Sequence, residues 1–394
     1  MTNDAVASSV DERVSLGTIA REWTRLGCIG FGGPPTHIAL LRRLCVDEHR
    51  WLDPKEFEDG IASVNLLPGP ASTQLAILCA WKLRGTRGAI LGGLCFIIPG
   101  LVLILALSVV VLAKHPASWV IGAAAGAGAG VPAVALKVAW GLVPASRHRI
   151  GARAAEKSRW IGYGMVGGIV AVTIGTYLVV ALVGCGVVEV VVRRREEATR
   201  NREVRAIAPF AAIHSAAVGG IGALAWVAFK VGALSYGGGL VIVPLMQHDA
   251  VTTYHWMTAA QFLNAVALGQ VTPGPVVQTV AVVGYAAAGV GGGLFAAFVA
   301  FSPSFLFVIF GGPRYSKIRS NANVQGFLTG AGPAVIGAIA GSAIPLGLSF
   351  QHLWQIFALA GAAFWFFVAK RGVVSGLVIA GVVGVFLAIS GVPV

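Results

Sequence analysis

The sequence predicts an all-α polytopic integral membrane protein, with about ten transmembrane helices arranged as two inverted-topology repeats that contain discontinuous helices. Three observations carry this prediction: an apolar composition, a lopsided distribution of charge, and an internal repeat. Of 394 residues, 56% are hydrophobic and only 11% charged, and the mean hydropathy is +0.80. A soluble domain needs roughly a quarter charged residues to cover its surface, so a chain with under half that share needs lipid around it. The 53 glycines fit the same setting, because small residues let membrane helices pack closely.

The net charge of +13 would suggest nucleic acid in a soluble protein. Here residues 206 to 394 hold six basic residues and one acid, Asp249, and no charge lies between Asp249 and Arg314. Such a stretch suits two membrane crossings of about 20 residues each and offers nothing to a phosphate backbone, so nucleic acid is excluded as a partner and the lipid bilayer takes its place. Residues 1 to 12 carry Asp4, Asp11 and Glu12 with no apolar run, which is not a cleavable signal layout and predicts a cytoplasmic N-terminal tail. Cys28, Cys45, Cys79, Cys95 and Cys185 show no metal or disulfide spacing and are expected to be small buried hydrophobes.

Apolar spans cover residues 60–81, 88–113 and 118–142, and basic residues at 82–87 and 144–159 mark the cytoplasmic side. Residues 160–192 end in the basic stretch 193–205, so both ends are cytoplasmic if the chain turns near Gly175-Thr176; one steeply tilted helix is the alternative. Spans at 207–231, 258–285, 290–312, 324–348, 353–369 and 372–391 follow. Here the turn near 286–290 is uncharged and the next holds Arg314, Lys317 and Arg319, the reverse of the first half.

Placing residue n against n+205 aligns the halves. Gly27 meets Gly232, Gly32-Gly33 meet Gly237-Gly238, Trp51 meets Trp256, and Pro68-Gly69-Pro70 meet Pro273-Gly274-Pro275. The expected organisation is a tail (1–12), a first repeat (13–192), a basic cytoplasmic linker (193–205) and a second repeat (206–394). Because equivalent turns differ in charge, the copies should lie upside down to one another, the architecture of alternating-access carriers with a midplane site.

The breaks in the apolar spans supply the chemistry. Pro-Gly-Pro cannot continue a helix, and Pro70 and Pro275 are placed as first-turn prolines of new half-helices. Each fresh N-terminus offers unpaired N–H groups and the positive end of the dipole to an anion. Gly30-Phe31-Gly32-Gly33-Pro34-Pro35 and Ser235-Tyr236-Gly237-Gly238-Gly239 form a second pair of breaks, able to build N–H nests. Arg25 and Lys230 precede these breaks at matched positions and are expected as counter-charges; Arg25 has an equal claim as an interfacial residue near Glu22, whereas Lys230 has no acid nearby in sequence. Asn65, Ser72, Thr73, Gln74, Asn264, Gln270, Gln278 and Thr279 are uncharged hydrogen-bonding groups beside the breaks, equally suited to join helices. Glu189, Asp249, His214 and His248 are the few groups able to relay a proton. Paired G-x-x-x-G spacings, among them Gly122/Gly126/Gly130 and Gly337/Gly341, read as packing faces. No phosphate loop, dinucleotide fingerprint or metal-ligand cluster is present, so no enzyme, cofactor or catalytic residue is expected.

The motifs Gly30-FGGPP-Thr36, Trp51-Leu52, Glu56-Phe57 and Asn65-LLPGP with Ser72-Thr73-Gln74, echoed by Tyr236-GGG and Thr272-PGPV, resemble the chromate ion transporter family in its long, two-domain form. The resemblance spans about Gly27 to Gly141 and Lys230 to Leu348. It implies export of chromate across the inner membrane, chromate resistance, coupling to protons as in an antiporter, and sulfate as the similar dianion. The residues themselves reach only a carrier for a small anion. Sulfate or other oxyanion uptake, an anion channel and a structural membrane protein are the alternatives, and a homo-oligomer is left open. Gly239-Leu240 stand where the first repeat has Pro34-Pro35, which sets the two copies apart.

Overall fold

The structure is a computed structural model that describes residues 14–65, 69–151, 153–173, 175–198, 220–235, 242–311 and 321–394. Every regular element among them is helical. In the first half these are α1 (Leu16–Ile29), α2 (Pro34–Arg42) running into a π-helical turn (Arg43–Glu48), α3 (Pro54–Val64), α4 (Ala71–Val111), α5 (Ser118–Ala129), α6 (Val131–Arg147), α7 (Ala154–Thr173) and α8 (Leu178–Ala198). The second half repeats them as α9 (Ile221–Leu234), α10 (Ile242–Gln247) with a π turn (His248–Thr253), α11 (Ala259–Val271), α12 (Thr279–Gly311), α13 (Ala322–Leu348), α14 (Leu353–Ala363) and α15 (Val373–Ile389). Among the described residues, four segments are long and apolar enough to cross a membrane: Ala71–Val111, Ser118–Arg147, Val276–Gly311 and Ala322–Leu348. Shorter apolar helices, Ile221–Leu234, Leu353–Val368 and Val373–Ile389, accompany them, and large apolar side chains such as Trp140, Phe298, Phe357 and Phe386 face outward. This is an all-α, multi-pass membrane protein.

The repeat is written into the backbone. α9 matches α1 residue for residue at the offset of 205, and so do the two π turns. Two residues beyond each π turn stands a non-glycine residue with positive φ, Arg50 at 53° and His255 at 52°, flanked by a stacked pair, His49 on Trp51 and Tyr254 on Trp256. Beyond the next turn the offset becomes 204, pairing Gly85 with Gly289, Pro99 with Pro303 and Gly126 with Gly330.

α4 and α12 each double back. Non-helical backbone at Arg84–Gly85 and Ala288–Gly289 needs φ of 59° and 64° at the glycines, a region open to Gly at little cost. The arms then touch: Ala80 lies against Gly88 and Gly92, and Gly284 against Gly292. α3 also runs antiparallel to the arm 71–83, with Gly60 against Leu78 and Leu75 and Glu56 on Lys82 at 2.5 Å. The two arms, 54–64 and 71–83, therefore form a re-entrant hairpin with Gly69 and Pro70 toward its tip. This corrects the expected crossing at 60–81: the hairpin enters and leaves on one side, and the second repeat places α11 and α12 in the same order. Hydropathy cannot separate the two cases because residues 61–81 hold no charge and read as one apolar run, although the start of α3 carries Lys55, Glu56, Glu58 and Asp59. Helices α7 and α8 meet at a short 3₁₀ turn, Gly175–Tyr177, where the chain was expected to turn.

The long arms 86–111 and 290–311 pack antiparallel. Gly93 lies against Phe305 and Gly293 against Leu105, so as one chain advances twelve residues the contact retreats twelve on the other. Equivalent helices that cross head to tail are related by a two-fold axis perpendicular to them, not along them. Glycines make further close crossings: Gly122 and Gly126 on Gly384 and Ala380, Gly326 and Gly330 on Val190 and Cys185, and Gly337 on Gly164. Thus α5 packs on α15 of the other half, and α13 on α7 and α8.

These crossings leave no room for a methyl group. At Gly330 an added Cβ would come within 2.8 Å of the Glu189 Cβ and closer still to the Cys185 carbonyl, whereas at Gly184 nothing lies within 4 Å. Gly330→Ala is expected to cost about 1–3 kcal/mol and Gly184→Ala to be neutral or stabilising by up to ~1 kcal/mol, read as thermal unfolding in detergent.

Candidate functional site

Four breaks in the helices could form the site, and the fold brings three of them together. α1 runs beside the arm 86–111, with Trp23 at Gly92 and Gly27 so near the Phe96 carbonyl that an added Cβ would sit 2.7 Å from it. Gly30 ends α1 at that level. Its carbonyl accepts the Gly274 N–H at 2.9 Å, so the Gly-rich break of one repeat is hydrogen-bonded to the Pro-Gly-Pro break of the other. Gly33 stands 3.7 Å, by its would-be Cβ, from Val276. Gln278 donates from Nε2 to the Ile97 carbonyl at 2.8 Å, and Gly100 adjoins the Pro273 carbonyl. In the other sense Gly69 of the first Pro-Gly-Pro lies 3.5 Å, measured in the same way, from the Gly232 carbonyl near the end of α9.

Depth follows from length. The arm 71–83 spans about 20 Å at 1.5 Å per residue, which carries its tip well into a hydrocarbon core of about 30 Å. Ile97 to Gly100 stand halfway along 86–111. The breaks thus meet near mid-membrane, where irregular backbone is tolerated only if protein or a wet cavity covers it.

Local backbone explains each tip. Positive φ occurs at Gly32 (98°), Gly33 (77°), Gly69 (116°) and Gly274 (93°). Pro70 and Pro275 are helix caps and not first-turn residues: their ψ of 101° and 131° is extended. A capping residue needs only its carbonyl, and Pro70 supplies that oxygen to the Gln74 N–H at 3.0 Å. No acidic side chain occupies the first turn of α2, α4 or the 3₁₀ turn Val276–Gln278, so the free N–H groups there face no competing carboxylate.

The polar side chains divide into partnered and unpartnered groups. Thr73, Gln74, Gln278 and Thr279 are almost wholly buried. Thr279 bonds back to the Val276 carbonyl at 2.8 Å, and the Gln74 amide lies beside Gly69. By contrast Thr73 Oγ1, Gln278 Oε1, Gln270 Nε2 and Ser235 Oγ are buried without a partner among the described residues. Buried polar atoms normally have one, and all four flank the breaks. Asn264 lies on α11 facing Gly128 of α5, whose would-be Cβ is 2.9 Å from its Oδ1, a helix contact. Asn65 caps α3 and is exposed. Pro68, Gly237 and Gly238 lie outside the described residues, as does His214.

His37, which the repeat comparison passes over because Ile242 is its counterpart, holds the centre together. Its Nε2 meets the Gly30 carbonyl at 2.8 Å and its Nδ1 the Ser72 Oγ at 3.2 Å, while its ring stands edge-on to Phe96. A carbonyl only accepts, so Nε2 carries the proton, and a neutral ring then accepts from the Ser72 hydroxyl. Ser72 is therefore engaged with His37, and His37 joins the same Gly30 carbonyl that holds Gly274. The Pro-Thr-His run after the glycines was the available signal.

Both matched cations are paired. Lys230 is buried on α9 and makes an ion pair with Asp249 of the π turn, a contact also flanked by Trp226. This corrects the expectation of a lysine without an acid: nineteen residues separate the pair in sequence, and the intervening break folds them together. Arg25 is half-exposed, 2.9 Å from Glu22 and 3.9 Å from Glu48. Glu189 is buried between Arg159 and Arg193 and accepts from the Tyr163 hydroxyl. The cysteines form no disulfide, but Cys28 is exposed rather than buried.

An antiparallel duplicated helical fold with breaks meeting at mid-depth defines a multi-pass membrane protein of the transporter kind. The chromate transporter family pattern matches residues 17–221 and 222–386, and the chain belongs to that family. A chromate transport protein of Cupriavidus metallidurans is 33% identical over 344 residues, 84% of this chain and 82% of that protein. A chromate transport protein of Pseudomonas aeruginosa is 28% identical over 410 residues, 94% and 96% of the two chains. A probable chromate transport protein of Synechococcus elongatus is 28% identical over 347 residues. No solved structure matches the chain.

Removing one member of a buried ion pair strands the other. Lys230→Met alone is expected to destabilise the protein by about 3–5 kcal/mol, and the double variant Lys230→Met/Asp249→Leu by clearly less, read as thermal midpoints in detergent.

Proposed function

We propose that the protein exports chromate from the cytoplasm across the inner membrane by proton-coupled alternating access, and so confers chromate resistance. The observation that carries this reading is the meeting of the helix breaks at mid-depth, lined by buried side-chain atoms without partners. Thr73 and Gln270 offer donors, and the first turns of α4 and of Val276–Gln278 add N–H groups and dipole ends, the combination that replaces an oxyanion's water shell. Gly32, Gly33, Gly69 and Gly274 let the backbone approach, while Pro70, Pro273 and Pro275 keep the breaks from closing into helix. Family membership supports chromate as the anion; sulfate has the same shape and charge.

In this reading each repeat gates one side, because antiparallel copies present the same hairpins to opposite faces. Asp249 is the proposed proton site: its ion pair with Lys230, five residues before the second Gly-rich break, is broken when the carboxylate is protonated, which links proton movement to the rearrangement of that break between the two access states. Arg25, held by Glu22 at the surface, serves orientation instead.

Chromate uptake by everted vesicles tests the proposal. Wild type should accumulate chromate only with an imposed proton gradient. Thr73→Val and Gln270→Leu should lose tenfold or more in transport while inserting normally, since each removes a donor without a partner among the described residues whose hydrogen bond to a charged ligand is worth about 1.5–3 kcal/mol. Gradient-independent unitary currents would indicate a channel, and uptake of sulfate in preference to chromate would overturn the substrate.

A further inference from the structure

A cavity of about 180 Å³ lies between α3, α6 and α13, lined by Asn65, Ser146, Arg149, Leu142, Gly332 and Val335, among others. At a liquid share of ~30 Å³ per water, it holds a tetrahedral oxyanion with part of its hydration. Among the described residues no carboxylate lines it. Asn65 lies three residues before Pro68 of the first Pro-Gly-Pro, and Arg149 follows the C-terminus of α6, in the basic stretch that the charge rule places in the cytoplasm. The cavity therefore adjoins both the end of α3, which leads into that break, and the basic stretch after α6.

Its polar groups are arranged for an anion. The Ser146 Oγ accepts from the Trp160 Nε1 at 2.9 Å, which uses a lone pair and leaves the hydroxyl proton to donate. Arg147 lies over the Trp160 ring at 5.5 Å, and Arg159 is bound to Glu189 and Glu196. Of these three arginines only Arg149 lines the cavity. Gly332 keeps the wall low, since a Cβ there would stand 3.5 Å from the Ser146 Oγ.

The equivalent place in the other repeat is built differently. The counterpart of Asn65 is Gln270, which is 9% exposed, and those of Ser146 and Arg149 are Phe350 and Leu353. A cation and a hydroxyl on one side face two apolar residues on the other.

We propose that the cavity of Asn65, Ser146 and Arg149 is the cytoplasmic capture site for the tetrahedral oxyanion, feeding the mid-membrane breaks, and that its apolar counterpart makes the opposite side the side of release. This rests on the oxyanion-carrier reading given above. Arg149 supplies charge and a planar donor fork, Ser146 and the Asn65 amide further donors, and the anion passes from them to the first turn of α4 as the hairpin tip moves.

The test combines equilibrium dialysis of chromate against the detergent-solubilised full-length protein with concentration-dependent uptake in everted vesicles. Arg149→Ala should weaken chromate binding and raise the half-saturating concentration about tenfold or more, consistent with loss of a charge-assisted contact, with the maximal rate largely kept. Arg149→Lys should recover part of the loss, and Arg153→Ala, outside the lining, should match wild type. Gly332→Leu, which fills the cavity without touching a charge, should abolish binding in protein that remains monodisperse. Binding that depends on Arg149 without any transport would leave the capture site standing and remove the carrier reading. Transport with unchanged half-saturation and binding in Arg149→Ala and Gly332→Leu would remove the capture site and leave the carrier. Wild-type protein that binds no chromate would overturn the capture site.

Discussion

A helix interrupted inside lipid leaves peptide groups that water cannot reach, and the rest of this structure depends on how that deficit is met. The Gly274 N–H reaches across to the Gly30 carbonyl, the same oxygen that His37 binds, and Gln278 bonds the Ile97 backbone. Gly274 and Gln278 find their partners in the opposite repeat, and His37 closes the first Gly-rich break on itself. The breaks can therefore exist only where the hairpin tips meet, and the doubled-back helices, glycine crossings and antiparallel arms all serve to bring them to one depth. Atoms left without partners at that point among the described residues, Thr73 Oγ1 and Gln270 Nε2 among them, are the observation on which the proposed anion site rests.

Much of this was legible in the sequence. The offset of 205, the Pro-Gly-Pro pair and the glycine spacings located the repeat, the breaks and the close crossings, because Gly and Pro act on the backbone directly and leave a local mark. The re-entrant course of residues 54–83 was not legible, since the uncharged run 61–81 within it reads the same whether it crosses or turns back. What decides it is Glu56 meeting Lys82 and Gly60 meeting Leu78, contacts made only once the chain has folded.

Charge was legible in amount and misleading in role. Arg25 and Lys230 occupy matched positions, yet their partners come from unmatched ones: Glu22 lies on the same helix, whereas Asp249 is carried back by the π turn after the second break. His37 shows the converse. It has no counterpart in the second repeat, so symmetry gave no reason to notice it, although it ties the first Gly-rich break to the start of α4. The duplication thus preserved backbone geometry more faithfully than side-chain chemistry, which is the expected outcome if the two repeats share a fold and divide the work.

The central claim is that the two repeats lie upside down to one another, so that equivalent hairpin turns face opposite sides. The most direct measurement is the accessibility of single cysteines at Thr86 and Val290, beside Gly85 and Gly289, to a membrane-impermeant thiol reagent in a cysteine-free background. Thr86→Cys should react only from the cytoplasmic side and Val290→Cys only from the opposite side; reaction of both from the same side would contradict the account.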